Sequence, residues 1–506
     1  MSDESVSAAL RSDAPLVVVE APAGCGKTHQ GADYAKALAS RDSTQRLLIL
    51  THTHAACSVF AGRTNNSGSR IEIATIDSLI ASIAGAYHTG LDLPADIATW
   101  VRQRQDGHGE LAVKVAALLR RHPMIGAAVA RRFPAIVCDE HQDSSGDQHA
   151  VVMAMAGRGS RVRLFADPMQ RIFRDKPVKG GAPRYDWDAL TRSAQAFERL
   201  DYPHRWNDGC RDLGRWTLAA REMLRKGGRI DLRRGLPASV SVVFAENQAQ
   251  ANLDLRLDKD QRKPVDDFEK AQSSLLVLTR HNETARAIRA MFFRRLPIWE
   301  GHTRQGLERL VDALRENEGD ASAIASVLVT FLHDVGKGFS PSAFGNRLTL
   351  EAREGCTKPT SGKPALIQEL ARLLTAEPDH RGASKMLRRL IEFKDQQAAF
   401  KDIEVDHQKE FWEAIRLGGY ESPDAGLAEI IHRRTYARPS PPARAISTIH
   451  KAKGLECESV ILMPCDSKTF PEKEDARCLL YVALSRATHR LQLVVSRANP
   501  SPLFEI

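Results

Sequence analysis

Short, almost wholly apolar runs recur through the N-terminal half of the chain: Leu16–Glu20, Arg46–Thr53, Ile71–Thr75, Ala135–Asp139 and Arg161–Ala166. Runs of this length, rich in Val, Ile and Leu, predict buried strands. Helical patterns such as Lys27–Ser40 and Asp147–Ala156 lie between several of them. Strands alternating with helices predict an α/β fold with a parallel sheet and ligands at the strands' carboxyl ends. The interval from Ile80 to Arg132 reads as helical and interrupts this alternation. A second α/β set follows, with Ser274–Arg280, Ser459–Pro464 and Arg490–Ser496 as strands. Largely helical sequence from Leu296 to Tyr436 separates its members, far too long for a loop in a compact domain. The pattern therefore predicts one α/β domain from 1–80 and 133–200, with a small helical insertion at 81–132. A second α/β domain is expected from 201–295 and 437–506, with a helical insertion at 296–436. The stretches 357–364 and 437–443 read as linkers.

Composition narrows the class. Of 506 residues, 42% are hydrophobic and 27% charged, ordinary values for a soluble globular protein. No apolar run is long enough to span a membrane. The opening M-S-D-E-S-V-S lacks the apolar core of a signal peptide. Eight scattered cysteines, with no C-x-x-C, predict a reducing cytoplasm and no structural zinc. The net charge of +9 is compatible with a polyanionic partner. Basic residues crowd two stretches: Arg215, Arg221, Arg225, Lys226, Arg229, Arg233 and Arg234, then Arg280, Arg286, Arg289, Arg294 and Arg295. Nucleic-acid contact and solvated helix faces explain these stretches equally well.

The chemistry concentrates at predicted strand ends. After the first run comes A-P-A-G-C-G-K-T, residues Ala21, Pro22, Ala23, Gly24, Cys25, Gly26, Lys27 and Thr28. A strand, a glycine-rich turn and a helix in this order predict a phosphate-binding loop. Backbone N–H groups wrap the polyphosphate, the lysine reaches its end, and the threonine hydroxyl holds Mg²⁺. Ala21 replaces the first glycine of the usual pattern. The run ending at Cys138 delivers Asp139 and Glu140, a pair suited to orienting a metal shell and activating water. The run ending at Ala166 is followed by Gln170, a polar residue placed to sense a terminal phosphate. Arg205 and Arg486 can clamp developing charge. His333-Asp334-Val335-Gly336-Lys337 is similar to the metal-binding H-D-x-G-K of HD-type phosphohydrolases, with His302 and Asp379 as partners. A glycine-stopped helix end is the plainer reading.

Eight segments, in order, carry a resemblance. They are A-P-A-G-C-G-K-T (21–28), L-T-H-T-H-A-A (50–56), A-T-I-D-S-L (74–79), V-C-D-E-H-Q-D (137–143), F-A-D-P-M-Q-R-I-F (165–173), L-D-Y-P-H-R-W (200–206), S-T-I-H-K-A-K-G-L-E (447–456) and L-L-Y-V-A-L-S-R-A (479–487). The chain resembles a UvrD/Rep/PcrA-type superfamily 1 DNA helicase over nearly its whole length, and that family commonly carries alanine at the Ala21 position. The resemblance implies two RecA-like P-loop NTPase domains with ATP in the cleft between them. Lys27 would contact the phosphates, Thr28 and Asp139 would hold Mg²⁺, and Glu140 would be the general base. Gln170 would couple the γ-phosphate to motion, Arg205 and Arg486 would reach it from the second domain, and Glu456 would touch the ribose. His52, Thr53, Thr75, Phe173 and His450 would face the DNA. The chain departs from the family in having no adenine-reading glutamine within 1–15 and in placing His52 at an aromatic position. Asp175 stands where a tryptophan is expected, with Trp187 as a substitute or a core residue.

The resemblance implies ATP-dependent 3′–5′ translocation on single-stranded DNA or 3′-tailed duplexes. A second reading is a DNA-stimulated regulatory ATPase subunit of a nuclease complex, in DNA repair or anti-phage defence. Compact UvrD-like proteins paired with OLD-type nucleases in Gabija-like systems motivate it. With few residues after the last predicted strand, any cleavage is expected from a partner protein.

Overall fold

The computed structural model describes residues 2–506 apart from 42–45, 65–69, 103, 105, 174–177, 247–254, 256, 301–304 and 437–440. Asp175, His302 and part of the 437–443 stretch therefore lie outside the described residues. The chain divides into two compact units, Met1–Phe293 with Ile446–Ile506, and Arg294–Ala445.

In the first unit, β1 (Leu16–Glu20), β2 (Leu47–Thr51), β3 (Ile71–Thr75), β4 (Ala135–Cys138), β5 (Arg161–Ala166) and β6 (Ala196–Arg199) build a six-stranded sheet in the order β3-β2-β4-β5-β1-β6. Every pairing in it is parallel. The runs are apolar throughout because both faces are covered. Val17, Val19, Leu47, Ile49 and Val137 pack with the helices Ser2–Arg11, Lys27–Arg41 and His54–Arg63 through Val6, Leu10, Tyr34, Ala35 and Phe60. On the other face, Leu16, Val18, Leu48, Leu50, Ile136 and Leu164 pack with Ile76, Ile80, Leu111, Val115 and Val151.

This second face corrects one expectation. The helices Ile76–Ala86, Ile97–Arg102, Gly107–Arg121 and Pro123–Arg132 are not a separate subdomain; they share one core with the sheet. Their apolar stripes have the sheet itself to bury against.

β7 (Ile230–Asp231), β8 (Val240–Phe244) and β9 (Leu275–Thr279) follow. β10 (Gly336–Lys337) and β11 (Glu404–Val405) pair antiparallel within the second unit. β12 (Arg444–Thr448), β13 (Cys457–Cys465), β14 (Ala487–Val495) and β15 (Phe504–Glu505) come last. The second sheet has the order β12-β9-β13-β14-β8, two strands more than the sequence pattern predicts. β12 escapes that reading because R-A-I-S-T carries one large apolar residue among small and polar ones, whereas V-S-V-V-F of β8 is apolar in composition but mostly only partly buried. β7 and β15 form a separate short parallel pair.

The second unit is helical and has a core of its own, including Leu307, Leu310, Leu328, Phe331, Leu370, Leu387, Phe400 and Phe411. The H-D-x-G-K segment belongs here and is structural. Helix Ala321–Val335 stops at Gly336, Asp334 pairs with Arg309 at 2.7 Å, and Asp379 caps helix His380–Gln396. Among the described residues, Glu300, His407 and Glu410 alone group as metal ligands would. Both carboxylates accept backbone N–H groups, Glu300 from Lys409 and Glu410, and Glu410 from Leu307. All eight cysteines are free thiols, and no helix among the described residues is long and apolar enough to cross a membrane.

Candidate active site

The strand order places the carboxyl ends of β4, β5 and β1 side by side, so three loops converge. The loop after β1 is pinned at its start by the Ala21 N–H on Ala166 O, at 2.8 Å. Ala21 is fully buried in the sheet core. Gly24 and Gly26 take φ values of +75° and +87°, where a side chain is strained. A Cβ on Gly24 would also lie 2.7 Å from Arg205 Cβ, and one on Gly26 3.2 Å from His204 Cδ2. The turn is thus a backbone cradle leading into helix Lys27–Arg41. Cys25 is buried, and burial pushes its thiol up to about 12, so it is an inert packing group.

After β4, successive side chains each engage a different neighbour. Asp139 accepts from Thr28 Oγ1 at 3.2 Å, and Glu140 pairs with Lys27. His141 bonds His149, and Gln142 joins Glu140 to the Asp167 N–H. Asp143 receives Lys453 Nζ at 2.6 Å, and Ser144 bonds His52. Asp139 and Glu140 share a buried setting but titrate apart. Burial raises Asp139, whereas for Glu140 the attraction of Lys27 and Lys453 outweighs burial and lowers it. Lys27 is held above its ordinary value because Glu140 and Asp139 overcome its desolvation. The base candidate is therefore ionised, as proton abstraction requires. Past β5, Gln170 is buried and donates to Asp167 Oδ2 at 2.9 Å.

Residues beyond β6 close over the loop. Arg205 N–H donates to Gly24 O at 3.0 Å, and Tyr481 Oη accepts from Ala23 N–H at 2.8 Å. Arg205 pairs with Glu456 at 2.7 Å, and its buried Nε has no hydrogen-bond partner among the described residues. Arg486 is buried, and its N–H groups go to Val482 O, Leu455 O and Ser485 Oγ, all neutral acceptors. Burial and the neighbouring Arg205 push it down to about 9. An orphaned donor, a guanidinium surrounded by neutral oxygens and a glycine cradle fit a polyphosphate anion. Thr28 with Asp139 offers the hard oxygen donors that Mg²⁺ takes.

Some residues escaped the sequence reading. Lys453 donates to both Asp143 oxygens and to Gln170 O, linking the turns after β4 and β5 to the loop after β12. It lies inside the 447–456 segment, three residues past His450, with no signal of its own in the sequence. Arg221 corrects the surface reading of its basic stretch, being 1% exposed and paired with Glu20 and Asp167, each at 2.6 Å. Arg225 also pairs with Glu20, and Arg280 donates to Thr469 O.

The DNA-facing candidates scatter. Thr53 caps helix His54–Arg63 and Thr75 caps helix Ile76–Ala86. His52 is half-buried. Phe173 is 47% exposed with its ring 6.1 Å from His450, and both line an open cavity of about 310 Å³ with Arg280 and His281. Lys453 Nζ sits 5.0 Å from the Phe173 ring. Trp187 instead packs edge-on against Phe197 and onto the helical face of the first sheet.

Two parallel α/β sheets with a phosphate loop on the first and arginines from beyond it define a class, the tandem RecA-like P-loop NTPases. Family comparison narrows it. Residues 444–494 match the UvrD-like helicase C-terminal domain, and residues 3–228 match an AAA domain. DNA helicase IV of Escherichia coli (strain K12) is 28% identical in an alignment of 123 residues that covers 18% of this chain and 18% of that protein. The match therefore spans under a fifth of that relative's length. The crystal structure of Pif1 helicase from Candida albicans aligns over 99% of this chain and 95% of its own, at 12% identity and a TM-score of 0.37. In these segments the chain is similar to superfamily 1 helicases, and the motif order agrees with that likeness.

Proposed function

We propose that the protein is an ATP-dependent DNA helicase or translocase that moves 3′ to 5′ along single-stranded DNA. The observation that carries this reading is the backbone bond from Arg205 to Gly24, with Glu456 and Arg486 behind it. The cradle is walled by residues from both RecA-like domains, so occupancy and the placement of the two domains are linked.

Bound MgATP would supply a γ-phosphate for attack by water and a cation that neutralises developing charge. Lys27 exchanges its carboxylate partner for phosphate oxygens, which releases Glu140 to take a proton from water. Thr28 and Asp139 would hold the cation. Gln170 senses the terminal phosphate, Arg205 and Arg486 neutralise it, and Glu456 reads the ribose. Phe173 and His450 offer ring faces for bases, while His52, Thr53 and Thr75 meet the strand at the ends of β2 and β3.

ATPase rate with and without single-stranded DNA, followed by unwinding of 3′- and 5′-tailed duplexes, tests the reading. Stimulation by DNA and unwinding from the 3′ tail are expected. Stimulation by RNA alone, or unwinding only from the 5′ tail, would overturn the substrate or the polarity respectively.

A further inference from the structure

Three histidines and a serine outside the hydrolytic set form one hydrogen-bonded chain in the first domain. His52 Nε2 lies 3.1 Å from Ser144 Oγ, which lies 3.2 Å from His141 Nδ1, and His141 Nε2 lies 2.9 Å from His149 Nδ1. The middle members are buried and the two ends half-buried. Tyr185 stacks on His149 at 4.3 Å and on His141 at 5.2 Å, and its hydroxyl donates to His141 O. The chain crosses three elements: the segment after β2, the turn carrying Asp139 and Glu140, and helix Gly146–Ala156.

Its proton bookkeeping allows two uncharged arrangements. In one, His52 donates to Ser144, Ser144 to His141 and His141 to His149. In the other, every donor and acceptor is reversed. Passing between them takes one proton in at His52 Nδ1 and one out at His149 Nε2, with each intermediate hydrogen shifted by one bond. A phosphate oxygen at His52 Nδ1 requires an N–H there and so selects the second arrangement. Ser144 and His141 belong to the same short turn as Glu140, whose carbonyl accepts from the Asp143 N–H at 2.9 Å.

We propose that the His52–Ser144–His141–His149 chain transmits strand contact at His52 to the Asp139–Glu140 turn, with Ser144 and His141 as positioning residues for DNA-stimulated hydrolysis. The inference rests on the DNA-stimulated ATPase reading above. Two neutral, fully matched arrangements of a buried chain make it a two-state element that an outside ligand can bias.

The test measures steady-state ATPase for wild type, Ser144→Ala, Ser144→Thr and His149→Phe, with and without single-stranded oligonucleotide, together with oligonucleotide affinity and thermal midpoint. In Ser144→Ala and His149→Phe the DNA-stimulated kcat should fall about tenfold, the worth of one buried hydrogen bond. Basal kcat, KM for ATP and oligonucleotide Kd should hold, while Tm falls by the few degrees that a lost buried hydrogen bond costs. Ser144→Thr, which keeps the hydroxyl, should restore stimulation. Full stimulation in both Ser144→Ala and His149→Phe would overturn the link alone. So would equal losses in the alanine and threonine variants, with Tm lowered alike in both, because those mark a packing role. A wild-type ATPase indifferent to DNA would overturn the functional reading itself, and the link with it.

Discussion

At the scale of single residues, the site is organised by what each charge faces. Lys27 and Glu140 neutralise each other inside the fold. Glu140→Gln should leave nucleotide binding intact and slow turnover by about 10²- to 10⁴-fold, the usual worth of a positioned base. Equilibrium nucleotide binding and single-turnover hydrolysis check it, and ordinary turnover would move the base elsewhere. The histidines give a pH signature. Burial lowers His52 and holds His141 well below its ordinary value, and it lowers His149 to about 4. Each is neutral when folded and binds a proton more readily when unfolded. The stability this contributes is present above the ordinary histidine value of 6.5 and is lost as pH falls from there toward about 4. Urea midpoints measured across that window should fall, and less steeply in His149→Phe. An unchanged slope in the variant would show that His149 is not among the titrating groups.

At the scale of elements, helix Arg211–Arg225 is fastened to the first sheet by charge. Arg221 reaches Glu20 at the end of β1 and Asp167 just past β5, with all three almost fully buried. Removing one partner of a buried network leaves uncompensated charge, so Arg221→Ala should cost about 3–5 kcal/mol. Chemical denaturation measures this; a loss below about 1 kcal/mol, the worth of an exposed pair, would show that the carboxylates find other partners. The basic composition of 211–234 gave no sign of this role, because an arginine's burial depends on where two distant strands end. Strand runs were more legible: β1, β3 and β5 have the bounds that their apolar runs predict. β12 was not legible, because its burial comes from neighbours rather than from large side chains of its own.

At the scale of the whole molecule, Arg294–Ala445 has its own core and sits between two segments of one other unit in sequence. A unit with a closed core can fold by itself. Residues 294–445 expressed alone should give a helical circular dichroism spectrum and a single cooperative melt, and a broad, non-cooperative melt would show dependence on the rest of the chain. The net charge of +9 belongs to this scale as well. Single-stranded DNA affinity should fall as salt rises, with a log–log slope that counts the phosphates neutralised. A flat salt dependence would remove phosphate contact as the basis of binding.

The sequence by itself determined the glycine-rich turn at 21–28, the Asp139–Glu140 pair, the parallel α/β character and the order of the helicase-like segments. These are local: a glycine turn after an apolar strand has few other uses, and a carboxylate pair at a strand's carboxyl end is delivered wherever that strand packs. Tertiary structure decided that residues 81–132 are a layer on the sheet, that Arg221 is an internal fastener, and that Lys453 joins the turns after β4 and β5. It also decided that His52, Ser144, His141 and His149 form one chain. Each of these depends on strand order, which brings together groups far apart in the chain, and pattern along a sequence carries no record of which distant strands become neighbours.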